Sequence, residues 1–173
     1  MKVLVAYASR HGATQGIAER VAKSLAAQGH AVDVEVLPGN ADLSGYDAFV
    51  VGSAVYMGRW RPEAAAFVDA NKALLSDRPL WLFSSGPLGS KATDSKGRDL
   101  RKSSAPKDAA QCATTVHPRD HRVFFGALDP NKLKPFQRAL RKLPPLRAAM
   151  PAGDFRDWDD IDHWAKGIAA SLP

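Results

Sequence analysis

A single cysteine, Cys112, stands among 173 residues, so an internal disulfide and a thiolate metal cluster are both excluded. The histidines His11, His30, His117, His121 and His163 are scattered without the spacing of metal ligands, and no metal is expected. No stretch approaches the ~20 apolar residues of a membrane-spanning helix, and no charged run leads into an apolar one as in a secretory leader. The expected location is therefore the cytoplasm. Two nucleotide signatures are missing as well. There is no Gly-Lys-Ser/Thr after a Gly-spaced run, and no Gly-x-Gly-x-x-Gly with an acidic residue ~20 positions on. A receiver domain is excluded because no acidic pair follows the first apolar run and the third ends in Val50-Val51-Gly52-Ser53.

The composition, 45% apolar with 24% charged, is that of a globular chain long enough to bury a core, read here as one domain over residues 1–173. Its most telling stretch is Val3 to Thr14. Val3–Tyr7 read as a strand buried on both faces, and Ile17, Val21, Ala22 and Leu25 recur at helical spacing as far as Gly29-His30. Between them lie Ser9, Arg10, His11, Gly12, Ala13 and Thr14. A strand-to-helix turn presents unpartnered amides at the positive end of the helix dipole, so it can hold an anion through backbone alone, with Ser9 and Thr14 adding hydroxyl donors.

Two further loops follow buried strands. Asp47–Ala54 runs into Val55-Tyr56-Met57-Gly58, ahead of a helix that starts at Pro62 and carries Ala64, Phe67, Val68, Leu74 and Leu75. Pro79–Ser84 opens into Ser85-Gly86-Pro87-Leu88-Gly89. In an open parallel sheet, ligands bind beyond the carboxyl ends of the strands. The candidate ligand residues are thus Ser9 to Thr14, Ser53 to Gly58 and Ser84 to Gly89.

Charge is unevenly placed. Residues 84–147 carry 14 Lys and Arg against 5 Asp and Glu, so this one segment holds the whole of the net charge of +6 and more. Residues from about 90 to 121, with Lys91, Lys96, Arg98, Arg101, Lys102 and Lys107, read as an insertion before the fifth strand, with a short Ala-rich helix from about Pro106 to Thr115. Arg122–Leu128 reads as the fifth strand. Leu133, Phe136, Leu140 and Leu143 mark a helix broken at Pro144-Pro145. Asp157 and Asp160 open a final helix whose buried face is Trp158, Ile161, Trp164, Ala165 and Ile168.

The Ser/Thr-x-x-Gly-x-Thr pattern of Ser9–Thr14 resembles the first loop of the flavodoxin family, which wraps the phosphate of FMN. Together with Gly52-Ser53-Ala54-Val55-Tyr56-Met57-Gly58, Arg122–Leu128 and Gly153–Trp158, nearly the whole chain is similar to the menaquinone-dependent protoporphyrinogen oxidase branch of that superfamily. The resemblance implies a doubly wound, five-stranded parallel α/β sheet of order 2-1-3-4-5 and FMN flanked by the second and third loops. It also implies oxidation of a protoporphyrinogen with electrons passed to a quinone. Tyr56, Met57 and Trp60 are the candidates to cover the flavin ring, and Gly58 would let a neighbouring peptide reorient near its reactive nitrogen. No catalytic base declares itself, though His117 or His121 could move protons. The basic insertion would overhang the exposed flavin edge and draw in an anionic porphyrin precursor, or bring the protein to the inner face of a membrane. No nucleic-acid partner is expected. An electron carrier and a domain for a related deazaflavin are the alternatives. Flavodoxin carriers are strongly acidic, against the basic balance here.

Overall fold

Five parallel strands form the centre of the molecule, in the order Ala31–Val36, Lys2–Ala8, Ala48–Tyr56, Leu80–Ser85 and Asp120–Phe124. A computed structural model describes residues 1–89, 93 and 97–173. Lys91 and Lys96 of the expected basic insertion lie outside the described residues. Along the chain β1 (Lys2–Ala8) leads through α1 (Ala13–Ala27) to β2 (Ala31–Val36), and β3 (Ala48–Tyr56) turns back into β4 (Arg59–Trp60). Next come α2 (Pro62–Ala70), α3 (Lys72–Asp77), β5 (Leu80–Ser85), α4 (Leu100–Ser103), α5 (Lys107–Val116) and β6 (Asp120–Phe124). The chain closes with β7 (Ala127–Leu128), α6 (Pro135–Leu140), α7 (Pro144–Ala149), β8 (Gly153–Asp154) and α8 (Trp158–Ser171).

The three central strands read as continuous apolar runs because both sheet faces are covered. On one face α1 and α8 pack Ile17, Val21, Leu25, Ile161, Trp164 and Ile168 against Val3, Val5, Val50 and Phe83. On the other, Ala64, Val68, Leu75, Ala109 and Val116 from α2, α3 and α5 meet Leu4, Phe49, Val51 and Leu82. The final helix starts where its residues direct: the Asp157 carboxylate accepts from the Asp160 amide at 3.0 Å. Arg20 and Ser24 of α1 both donate to Asp162 of α8, clamping the two helices together. Those bonds hold the Asp162 carboxyl down at about 2.

Three expectations change. Residues 107–116 form a helix within one position of that expected, yet α5 is a crossover helix buried in the second core layer. Within the segment read as an insertion, that leaves the residues before it as the extra length. The fifth strand is shorter than expected, because β6 stops at Phe124 and Ala127–Leu128 leave it to pair antiparallel with Gly153–Asp154. The helix expected over Leu133–Leu143 shrinks to Pro135–Leu140, and a second short helix starts at Pro144-Pro145, where the break was expected; each has proline in its first turn. Phe136 and Leu143 accordingly point outward rather than into a common core.

Candidate functional site

Beyond the carboxyl ends of β1, β3 and β5 lies a cavity of about 670 Å³. Its floor is the turn from β1 into α1. Gly12 adopts a left-handed φ of 87°, which turns the chain sharply and lets its amide donate to Ser9 Oγ at 3.2 Å. The first bond of the helix ladder runs from Gly16 N to Gly12 O, so the amides of Ala13, Thr14 and Gln15 precede it. Thr14 lines this cavity, is 1% exposed, and its Oγ1 has no hydrogen-bond partner among the described residues. A buried, unpartnered hydroxyl beside free helix amides fits the phosphate of a mononucleotide, since an unmet buried donor is costly until a ligand meets it. Arg156 braces this turn from outside. It donates to Ala13 O at 3.3 Å and lies against the space where a side chain at Gly16 would sit.

The walls are Ala54, Val55, Tyr56 and Met57 on one side and Ser85, Gly86 and Leu88 on the other. Met57 and Gly58 form a two-residue hairpin turn between β3 and β4, with φ of 52° and 72°, the paired positive values such a turn requires. Asp108 of α5 anchors this hairpin by accepting from Trp60 N at 3.1 Å and pairing with Arg59. The third loop is tied to the end of β6 by Gly86 N to Phe124 O and Gly126 N to Pro87 O, both 3.0 Å.

Of the residues expected at the site, Ser9, Arg10, His11, Ala13, Thr14, Ala54, Val55, Tyr56, Met57, Ser85, Gly86 and Leu88 line the cavity. Gly12, Gly58, Pro87 and Gly89 shape its loops without facing it. Ser53 and Ser84 do not belong to it. Neighbouring positions of a strand point to opposite faces, and these two paired residues turn toward Trp60. Ser53 Oγ accepts from Arg61 N at 2.9 Å and donates to Ala54 O. Ser84 Oγ accepts from the Trp60 indole at 2.8 Å and meets His121 Nε2 at 2.9 Å. Trp60, only 4% exposed, is therefore a buried core residue and cannot cover a flavin. Tyr56 is the aromatic group of the second loop that borders the cavity. Its ring stands edge-on to His11 at 6.3 Å with the Arg10 guanidinium 5.7 Å away, and burial pushes its phenol up. His121 faces Ser84 rather than the cavity, and burial lowers its pKa. His117 is the exposed cap of α5.

What the sequence reading missed is the roof. Leu133, Gln137, Leu140, Leu146 and Met150, from the segment spanning α6 and α7, cover the cavity with one amide among apolar side chains. None of the described residues of the expected insertion lines it. Arg101 instead pairs with Asp160 at 3.2 Å and lies over Phe125, which draws α4 toward the start of α8. The signal for the roof was present as Leu133, Leu140 and the twin prolines, but helical spacing alone does not say whether an apolar stripe meets core or cavity. His11 joins roof to floor, its Nδ1 lying 3.2 Å from Lys132 O. Burial depresses its pKa despite that bond, so the ring is neutral near pH 7, with Nδ1 the protonated atom and Nε2 left to accept.

An open parallel sheet with an anion-binding turn at its switch point defines a mononucleotide-binding α/β domain. The chain belongs to the flavodoxin domain family, whose model matches residues 4–144, and its cofactor is FMN. Over 90 residues it is 34% identical to an NAD(P)H dehydrogenase (quinone) of Cupriavidus metallidurans, a match covering 39% of this chain. That match takes in 45% of the relative, so the chain spans less than half of its length. Among solved structures, oxidised flavodoxin 2 from Bacillus cereus aligns with a TM-score of 0.64 at 20% identity, over 99% of this chain and all of that one. Rubredoxin oxygen:oxidoreductase from Desulfovibrio gigas aligns with a TM-score of 0.61 at 17% identity, over 98% of this chain and 35% of that one. At such identities these structures speak for the fold. The family assigns redox chemistry through FMN, as an oxidoreductase or as an electron-transfer domain.

Proposed function

We propose that this chain is an FMN oxidoreductase that delivers electrons to a quinone-type ring held between the second and third loops and the roof. The observation that carries this reading is the roof itself. A phosphate turn and two loops suffice to hold a flavin, whereas Leu133, Leu140, Leu146 and Met150 add an apolar ceiling suited to a second flat, apolar ring. The quinone-reducing relative supports the same substrate class.

When bound, FMN supplies the one- and two-electron chemistry. The chain's own residues do the rest. The free amides at the start of α1 and the Thr14 hydroxyl would hold the phosphate, and Val55, Tyr56 and Leu88 would wall the space for the ring and exclude water from it. Gln137, the amide among the roof's apolar side chains, can donate to a ring carbonyl, and His11 at the same wall can take a proton from solvent on Nε2 and pass it to the ring oxygen as the quinone is reduced.

A second reading keeps the quinone as acceptor and takes a porphyrinogen as the reductant. It is favoured by the cations of residues 84–147, which suit carboxylate side arms. One anaerobic experiment tests both: FMN-loaded protein is mixed in turn with NADH, NADPH and protoporphyrinogen, then with a menaquinone analogue, following flavin absorbance. Saturable reoxidation by the quinone is expected, and the donor that bleaches the flavin identifies the reductant. Reoxidation that rises linearly with quinone, without saturation, would leave no quinone site and return the chain to electron carriage.

A further inference from the structure

We propose that the outer surface of the roof docks on an anionic lipid surface, with Phe136 and Leu143 entering the headgroup layer. Between Asp129 and Asp154 the chain carries Lys132, Lys134, Arg138, Arg141, Lys142 and Arg147 and not one acidic residue. None of the six pairs with a carboxylate among the described residues, and all but Lys132, whose ammonium turns back toward Gly12, belong to the outer surface. Arg138 and Arg141 donate to the backbone carbonyls of Asn131 and Met150, which positions the guanidinium groups without neutralising them. Set among these charges, Phe136 is 72% exposed and Leu143 is 53% exposed.

A solvated helix surface shows mixed charge and buries its large apolar groups, and this one does neither. Large apolar side chains standing out of an all-cationic surface match the requirements of an interface that is anionic outside and hydrocarbon within. The other rim of the cavity adds to the pattern. Tyr56 and Met57 bring to four, of seven among the described residues, the exposed large hydrophobics on the two segments that border the cavity. Membrane contact was expected from the segment around Lys91–Lys107, whereas the roof is where charge and exposed apolar surface coincide. An acidic protein would satisfy the cations, but a lipid surface satisfies cations and apolar tips together and needs no shape complementarity.

Docking rests on the surface of the roof alone. Its use, bringing the cavity to where apolar quinones dissolve, rests on the quinone reading above. The test is co-sedimentation of the full FMN-loaded chain with vesicles of phosphatidylcholine alone or mixed with phosphatidylglycerol. Binding to the mixed vesicles is expected to be at least ~10-fold tighter and to weaken with salt. Phe136→Ser with Leu143→Ser should reduce it by ~10-fold or more, and so should Lys134→Gln, Lys142→Gln and Arg147→Gln together, with the flavin spectrum unchanged in both. Absence of phosphatidylglycerol-dependent binding at low salt overturns the proposal. So does a serine pair that binds as the parent does, since charge alone would then hold the protein. A chain that binds vesicles but turns over no water-soluble quinone overturns the quinone reading and leaves docking intact.

Discussion

The floor and the roof of the cavity enclose one space by opposite means. The floor is made of backbone: a left-handed Gly12, helix amides ahead of the ladder, and one buried hydroxyl, all fixed by where β1 ends. The roof is made of side chains on two six-residue helices, apolar within and cationic without. Recognition of a phosphate needs only geometry that the sheet already supplies, while recognition of a second ring needs surfaces that vary residue by residue. The floor should therefore govern cofactor affinity, and the roof the choice of substrate.

The largest effect should come from the floor. Thr14→Val removes a donor to a charged phosphate, worth about 1.5–3 kcal/mol, so FMN affinity should fall by roughly 10- to 100-fold in a fluorescence titration. The apoprotein should melt at the same temperature or higher, because the hydroxyl it loses has no partner among the described residues. A loss of both affinity and stability would mean that Thr14 is merely structural.

Next in size is the roof. Leu140→Ala with Leu146→Ala removes apolar area above the ring, and at ~25 cal/mol per Å² KM for a menaquinone analogue should rise ~10-fold. FMN affinity should shift by less than about threefold on the same scale. If FMN affinity falls as far as quinone affinity, the floor and roof are one site and the contrast fails.

The second loop provides the smallest and sharpest comparison. Tyr56→Ala should change flavin fluorescence with little cost in stability, whereas Trp60→Phe should leave the flavin alone and cost about 1 kcal/mol in urea unfolding through the lost bond to Ser84. Equal flavin effects from both would contradict the burial of Trp60.

The floor was legible in the sequence and the roof was not. Ser9–Thr14 could be read because a buried strand running into a Gly-containing hydroxyl loop has few other uses. The sheet order followed from the resemblance those residues carry. Ser53 and Ser84 were misassigned because a loop begins, in sequence, before the strand's alternation has finished choosing its faces. The roof escaped because Leu133, Leu140 and Leu143 have the same spacing whether their neighbour is a core or a cavity. Only the prolines at 135 and 144–145 hinted that the stripe is cut in two. The basic charge was correctly located to 84–147, but which part of it borders the cavity depends on where β6 ends.

That ending has a consequence of its own. β6 stops at Phe124, and the chain is then pinned by Ala127–Leu128 against Gly153–Asp154, so everything between Asp129 and Ala152 leaves and returns through one two-stranded clasp. Exchange of a closed excursion of this kind costs only the slowly varying entropy of its length. The roof is thus a detachable cassette. Grafting a different hairpin onto the same clasp, with Lys132 and Leu133 retained, offers a way to give this domain a new substrate while its cofactor site and core stay as they are.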